Sequence, residues 1–145
     1  NASGGQSLNP ASAQDVKVVE ADLELIKTVN GLPDGTALLD ADAGDPVIYS
    51  ITLQHSASST AGAYDVLFSD PLPDELDFSA VDFFNGVNVV VTDNGSNPLT
   101  SNDFRIVAGV LQFAYRGNTN INTGDLDFGR IITVELTGSL KADAT

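Results

Sequence analysis

The chain has 145 residues, and 20 acidic against six basic side chains give it a formal net charge of −14, which repels nucleic acid and anionic lipid. It contains no cysteine and one histidine, which excludes a cysteine nucleophile, disulfide bonds and histidine-rich zinc sites. The apolar fraction of 42% suffices for a folded core, and no apolar run is long enough to cross a bilayer.

The predicted elements begin after a polar leader. Residues 1–14 consist mostly of Gly, Ser, Ala, Asn and Gln, which predicts a flexible linker or the remnant of a tag. Residues 15–145 are predicted to form a single β-sandwich domain. Its first segment, 15–29, carries closely spaced β-branched and apolar residues, and it predicts one long strand or two short ones. Turn-forming residues then dominate the stretch from 30 to 46.

Residues 46–54 give the clearest strand pattern in the chain. Every second residue is apolar, which predicts one buried face formed by Val47, Tyr49, Ile51 and Leu53. Residues 63–70 predict the next strand, with an inward face formed by Tyr64, Val66 and Phe68.

Further strands are predicted at 76–84, 87–92, 103–107, 110–116 and 130–140. A short helical turn near 99–104, capped by Ser101 or Asn102, and a hairpin turning at Ala108-Gly109 lie among them. Short strands separated by turn residues predict an all-β fold, an immunoglobulin-like Greek-key β-sandwich of about 7–9 strands.

Catalytic signatures are scarce in this sequence. His55 lies near several serines, but we expect it to be a strand-end residue that hydrogen-bonds to nearby backbone. The sequence has no G-x-S-x-G elbow, glycine-rich phosphate loop or H-E-x-x-H motif. Seven Phe, three Tyr and no Trp argue against a sugar platform. We therefore predict that the chain is not an enzyme.

Calcium is the cofactor that the acidic turns could hold. Asp40, Asp42 and Asp45 surround a glycine and resemble the beginning of a calcium-binding loop, although the distal Glu of such a loop is missing. Two other polar groups share this composition: Asn122, Asp125 and Asp127, and Asp93, Asn94, Asn97 and Asp103. Because Asp, Asn and Gly also dominate ordinary turns, a calcium-dependent ligand-binding module and plain acidic loops stay as alternatives.

Two oppositely charged residues, Lys27 and Asp70, fall on the same alternating positions as the apolar residues of their predicted strands. Lys27 shares its strand parity with Leu25 and Val29, and Asp70 follows the parity of Phe68. Since an isolated buried charge is very costly, Lys27 and Asp70 are expected to be partners if both lie inside. Ile26 is also apolar but lies on the opposite face of the strand, so the sequence does not decide which face of the first strand points inward.

Three segments in order carry a resemblance to a known family: ADLELIKTVNG, GDPVIYSITL and AYDVLFSDPLPDEL, within residues 21–78 or so. They resemble the conserved-repeat immunoglobulin-like modules of large bacterial surface proteins, which are related to fimbrial isopeptide-forming domains. The resemblance implies a structural or adhesive stalk repeat, secreted or at the cell surface. Its partners would be neighbouring modules of the same chain and a host or surface ligand, with no nucleic acid and no membrane insertion.

The resemblance also implies a role for the two charges. In some relatives a strand lysine forms an isopeptide bond to an Asn or Asp with the help of a buried acid. Lys27 matches that lysine, and Asp70 matches the Asp before the Leu-Pro turn. Relatives usually supply the Asn near a T-N-x-A motif on a final strand, which this chain lacks; the strand is expected to be missing or to come from the next module. We therefore expect a buried ion pair in preference to an isopeptide bond.

Overall fold

A computed structural model describes residues 19–33, 36–38, 40–113 and 125–142. Nine strands and one short 3-10 turn form its secondary structure, and the strand pairs are antiparallel. The strands are β1 (Leu23–Val29), β2 (Leu32–Pro33), β3 (Pro46–His55), β4 (Phe68–Pro71), β5 (Leu76–Asp77), β6 (Val89–Asp93), β7 (Phe104–Val107), β8 (Val110–Phe113) and β9 (Ile132–Leu140). The prediction of an all-β sandwich is confirmed.

The strands are divided between two sheets. The larger sheet has the order β2-β1-β3-β9-β5, and β6 also pairs with β9. The smaller sheet has the order β4-β8-β7. Strand β9 pairs with β3 along one edge and with both β5 and β6 along the other, so it is the central strand of the larger sheet.

The core lies between these sheets, as the period of two in β3 predicts. Its four alternate residues Val47, Tyr49, Ile51 and Leu53 are between 1% and 5% exposed. Burial of such apolar area stabilises the fold by about 25 cal/mol per Å². Both sheets contribute further buried side chains, among them Leu111, Phe113, Phe104, Ile132, Val134 and Leu136.

The prediction of one continuous strand over 63–70 is wrong. Asp65 has a φ of 52°, in the left-handed region, and the strand begins only at Phe68. Tyr64 is consequently 70% exposed and does not share an inward face with Phe68. A strand requires extended backbone at every position, so this one residue reverses the expected orientation of those before it.

The segment 76–84 also departs from the predicted strand, because its strand is limited to Leu76–Asp77. The Asp77 carboxylate accepts a hydrogen bond from the Ser79 N–H at 2.8 Å, and that of Asp82 accepts one from the Asn85 N–H at 3.1 Å. Short carboxylate side chains of this kind offer the backbone an alternative to the ladder. These hydrogen bonds turn the chain in a segment where the apolar pattern alone predicts an extended strand.

Two local predictions can be compared directly with the structure. The hairpin between β7 and β8 turns at Ala108 and Gly109, whose φ angles of 49° and 76° fit a two-residue turn, so that prediction is confirmed. The predicted helical turn is a 3-10 turn over Ser101–Asp103, but its cap is Thr100 and not Ser101 or Asn102. In the described part of the chain, no helix is long and apolar enough to span a membrane.

Strands β1 and β9 run in the same direction on either side of β3. Leu23 pairs with His55 and Ile132 pairs with Leu53, so both strands begin near one end of β3, which we name the His55 pole. Strand β9 ends at Leu140, next to the pair formed by Ser139 and Pro46, at the opposite Pro46 pole. The first described strand thus begins at one pole, and the last described strand ends at the other.

Candidate functional site

A charged cluster connects the two sheets through the core. The Lys27 ammonium group contacts one carboxylate oxygen of Asp70, and the Tyr49 hydroxyl donates a hydrogen bond to the other at 2.7 Å. Asp70 is 1% exposed, whereas the Lys27 side chain is 31% exposed. We call Lys27, Tyr49 and Asp70 the inter-sheet clamp, because the first two lie in the larger sheet and the third lies in the smaller one.

Strand register places these side chains together. Lys27 pairs with Ile51 and Val29 pairs with Tyr49, so Lys27 and Tyr49 lie on the same core-facing side of neighbouring strands. Asp70 pairs with the fully buried Leu111 and faces them from β4. Both oxygens of the buried carboxylate therefore have a donor, which is what a charge in the core requires.

A second buried ion pair, formed by Asp93 and Arg130, lies at the His55 pole. Arg130 binds Asp93 through two nitrogens, with Nη2 at 2.8 Å from Oδ2 and Nε at 3.1 Å from Oδ1. The Asp93 carboxylate also accepts hydrogen bonds from the N–H groups of Gly95 and Leu99, each at 2.8 Å. Burial by itself raises the pKa of Asp93, but these hydrogen bonds together hold it below its ordinary value.

Arg130 ties the turn after β6 to the segment before β9. Its Nη1 donates to the carbonyl of Asp125, and its Nη2 donates to the carbonyl of Asn97 at 3.3 Å. The guanidinium group lies directly over Gly95, where a Cβ atom would be 2.5 Å from Nε. Sequence reasoning missed this pair, because Arg130 was only the predicted start of a strand and its partner lies 37 residues away.

His55 is held at both ring nitrogens. Nε2 donates to the Leu126 carbonyl at 2.7 Å, and Nδ1 lies 2.6 Å from the Ser59 hydroxyl. The imidazole also packs against Phe128, with 5.0 Å between ring centroids. The predicted strand-end role with a bond to backbone is confirmed. A carbonyl stands where a Ser-His-Asp site would have its carboxylate, so this arrangement lacks the acid of such a site.

The predicted calcium group Asp40, Asp42 and Asp45 is not assembled. The Asp45 carboxylate accepts a hydrogen bond from the Asp42 N–H at 2.8 Å and so closes its own turn. Throughout the described ranges, no three or more His, Asp or Glu side chains are grouped so that they could hold a metal ion. Asx turns use the same residue types as calcium loops, so the sequence pattern by itself does not distinguish the two.

The other two polar groups have different outcomes. Asp103 caps the 3-10 turn by accepting a hydrogen bond from the Thr100 N–H at 2.7 Å, and Asp93 belongs to the ion pair with Arg130. Asn122 lies outside the described residues. Asp125 and Asp127 line a cleft of about 340 Å³ at the His55 pole, together with Phe128, Gly129, Arg130 and residues 94–97. We call it the polar cleft.

The fold and these sites define a two-sheet antiparallel β-sandwich with charged residues bound inside its core. Comparisons with protein-family models, with curated proteins and with solved structures find no match for this chain. The resemblance of residues 21–78 to bacterial surface modules stays a prediction.

Proposed function

We propose that the chain is a structural or adhesive module, a stalk repeat of a secreted or cell-surface protein, whose partners are neighbouring modules of the same chain. The observation that carries the proposal is the parallel course of β1 and β9 on either side of β3. Because the first described strand begins at one pole and the last described strand ends at the other, this geometry allows modules to follow one another in a line. A pull along that line would act parallel to the strands.

Such a pull would load two ladders in shear. Strands β1 and β3 share seven paired positions, and β3 and β9 share eight. The hydrogen bonds of antiparallel strands run perpendicular to the strands, so a force along the strands stresses the whole ladder together. A force that peels the strands apart would instead break the bonds one after another. The observed geometry suits a module that bears tension.

The inter-sheet clamp adds resistance at the loaded strand. Lys27 lies in the middle of β1, and its partner Asp70 belongs to the smaller sheet, which is outside both loaded ladders. Sliding β1 along β3 would separate the two charges and leave the Asp70 carboxylate buried with Tyr49 as its remaining partner. Because an unpaired buried charge is costly, the clamp opposes the first step of mechanical unfolding.

Single-molecule pulling in two geometries tests the proposal. The chain has no native cysteine, so attachment points can be introduced freely. One protein is pulled through residues 1 and 145. The other is pulled through Ala21→Cys and Ala57→Cys, which are both exposed positions at the His55 pole, and this peels β1 from β3. We expect a several-fold higher unfolding force in the first geometry. Equal forces would contradict a load-bearing role.

Two variants distinguish the effect of the clamp on the unfolding force from a general loss of stability. Lys27→Met should lower both the unfolding force and the free energy of unfolding. Phe104→Leu, at a buried position of β7 in the smaller sheet, should lower the free energy of unfolding but leave the force nearly unchanged. Intact mass is measured alongside: the full theoretical mass indicates an ion pair, and a loss of one water that Lys27→Met abolishes indicates an amide bond between Lys27 and Asp70.

A further inference from the structure

The small number of aromatic residues argues against an extended platform for sugars, but the polar cleft has one aromatic ring, Phe128, at its wall. Phe128 is 58% exposed, although its ring packs against His55 on one side. His55 is itself held by Ser59 and by the Leu126 carbonyl, so the Phe128 ring packs against a side chain that is fixed in place. The result is an aromatic face that is held in place and open to solvent beside a cavity.

Polar groups suited to hydroxyl recognition line the same cleft. Asp127 and Asn97 are exposed there. A carboxylate can accept hydrogen bonds from two hydroxyl groups, and an amide can both donate and accept. A ligand with an apolar face and several hydroxyls could therefore stack on Phe128 and hydrogen-bond to these two side chains at once.

The walls of the cleft are fixed before any ligand arrives. Asn94 donates to the Gly129 carbonyl at 2.8 Å and accepts from the Ile131 N–H at 2.7 Å, which joins the two sides. Arg130, which also lines the cleft, is held by paired hydrogen bonds to Asp93. A site that is already ordered loses less conformational entropy on binding, so weak individual contacts can add up to measurable affinity.

Size and charge narrow the class of ligand. A volume of about 340 Å³ is at the lower end for small-molecule sites, which fits one or two sugar rings. Asp125 and Asp127 at the cleft, together with the net charge of −14, disfavour anionic sugars. We infer that the polar cleft binds a small uncharged saccharide, stacked on Phe128 and hydrogen-bonded to Asp127. This inference is independent of the load-bearing role.

Ligand-observed NMR with the full chain tests the inference. Saturation transfer is measured for a panel of uncharged mono- and disaccharides in EDTA, and the strongest is titrated. We expect saturable binding in the millimolar range. Phe128→Ala and Asp127→Asn should each weaken it about tenfold. Phe84→Ala removes a ring that is 82% exposed and not part of the cleft, and it should leave the affinity unchanged.

Several outcomes would overturn the inference. They are the absence of saturable binding by every sugar of the panel, equal binding by Phe128→Ala and the wild type, and stronger binding of glucuronic or sialic acid. Binding that appears only on addition of calcium would assign the cleft to a cation. Circular dichroism and melting of each variant are recorded first, and because Phe128 is largely exposed, its replacement should leave the fold intact.

Discussion

The Asp93 side chain has no exposed area, and four donors surround its carboxylate: two nitrogens of Arg130 and the N–H groups of Gly95 and Leu99. Its pKa is lowered in the folded protein despite the opposing effect of burial. Because the folded-state pKa lies below the unfolded value of about 3.9, the stabilisation is complete above about pH 5. It is lost as the pH falls through the folded-state pKa.

The replacement Asp93→Asn should therefore cost about 3 kcal/mol of unfolding free energy at pH 7, because it leaves Arg130 buried without its counter-charge. The difference from the wild type should begin to shrink below about pH 4, where the carboxylate of the unfolded wild type becomes protonated, and should shrink further as the pH falls through the lowered folded-state pKa. Urea denaturation at a series of pH values measures both effects. Glu75→Gln, on an exposed turn, serves as the control. A difference that stays constant from neutral to acidic pH would contradict the assignment.

At the level of the strand, Gly138 in β9 is the point where a side chain has no room. A Cβ atom there would lie 2.6 Å from the Asp77 carbonyl oxygen and 2.7 Å from a ring carbon of Phe78. Gly138→Ala should displace β5 and cost about 2 kcal/mol, since the backbone carbonyl cannot move aside without breaking its pairing. Hydrogen exchange should become faster at the β5 edge, in particular at the Lys141 N–H, which donates to the Glu75 carbonyl at 2.9 Å.

The matched variant for Gly138→Ala is Gly109→Ala. Gly109 has a φ of 76° and open space around its Cβ position, so the substitution there introduces backbone strain without a clash. It should cost about 1 kcal/mol and affect the β7–β8 hairpin alone. If the two variants lose equal stability, or if Gly138→Ala leaves exchange at β5 unchanged, the close approach at Gly138 does not limit the sheet.

The elements also show what could be predicted from the sequence. The inward face of β3 follows from its period of two. Lys27 and Asp70 could be predicted as partners because each alternates with apolar residues, although the pairing of their strands was not known. The strand predicted over 63–70 is wrong because Asp65 has a left-handed backbone angle. The strand predicted over 76–84 is wrong because the carboxylates of Asp77 and Asp82 accept hydrogen bonds from the backbone and turn the chain. The pair of Asp93 and Arg130 depends on contacts across 37 residues, which no local pattern encodes.

For the molecule as a whole, the excess of acidic side chains is the dominant electrostatic feature. Of the six basic residues, Lys27 and Arg130 are already paired with carboxylates in the core, so much of the negative surface has no nearby positive charge. Repulsion among exposed carboxylates opposes the compact state, and mobile ions screen it over about 10 Å at 0.1 M salt. The stability of the fold should therefore increase with ionic strength, whichever salt supplies the ions.

We expect the melting temperature to rise by about 5 °C between low salt and about 0.5 M NaCl. Calcium tests whether a specific site exists beyond this screening. Calcium, magnesium and sodium chlorides at matched ionic strength should give the same melting temperature, because the described residues provide no group of three acids for a metal. A specific site would instead stabilise the fold in proportion to its occupancy, even at low free calcium. If calcium produced a saturable rise in the melting temperature and magnesium did not, the result would support the alternative of a calcium-dependent ligand-binding module.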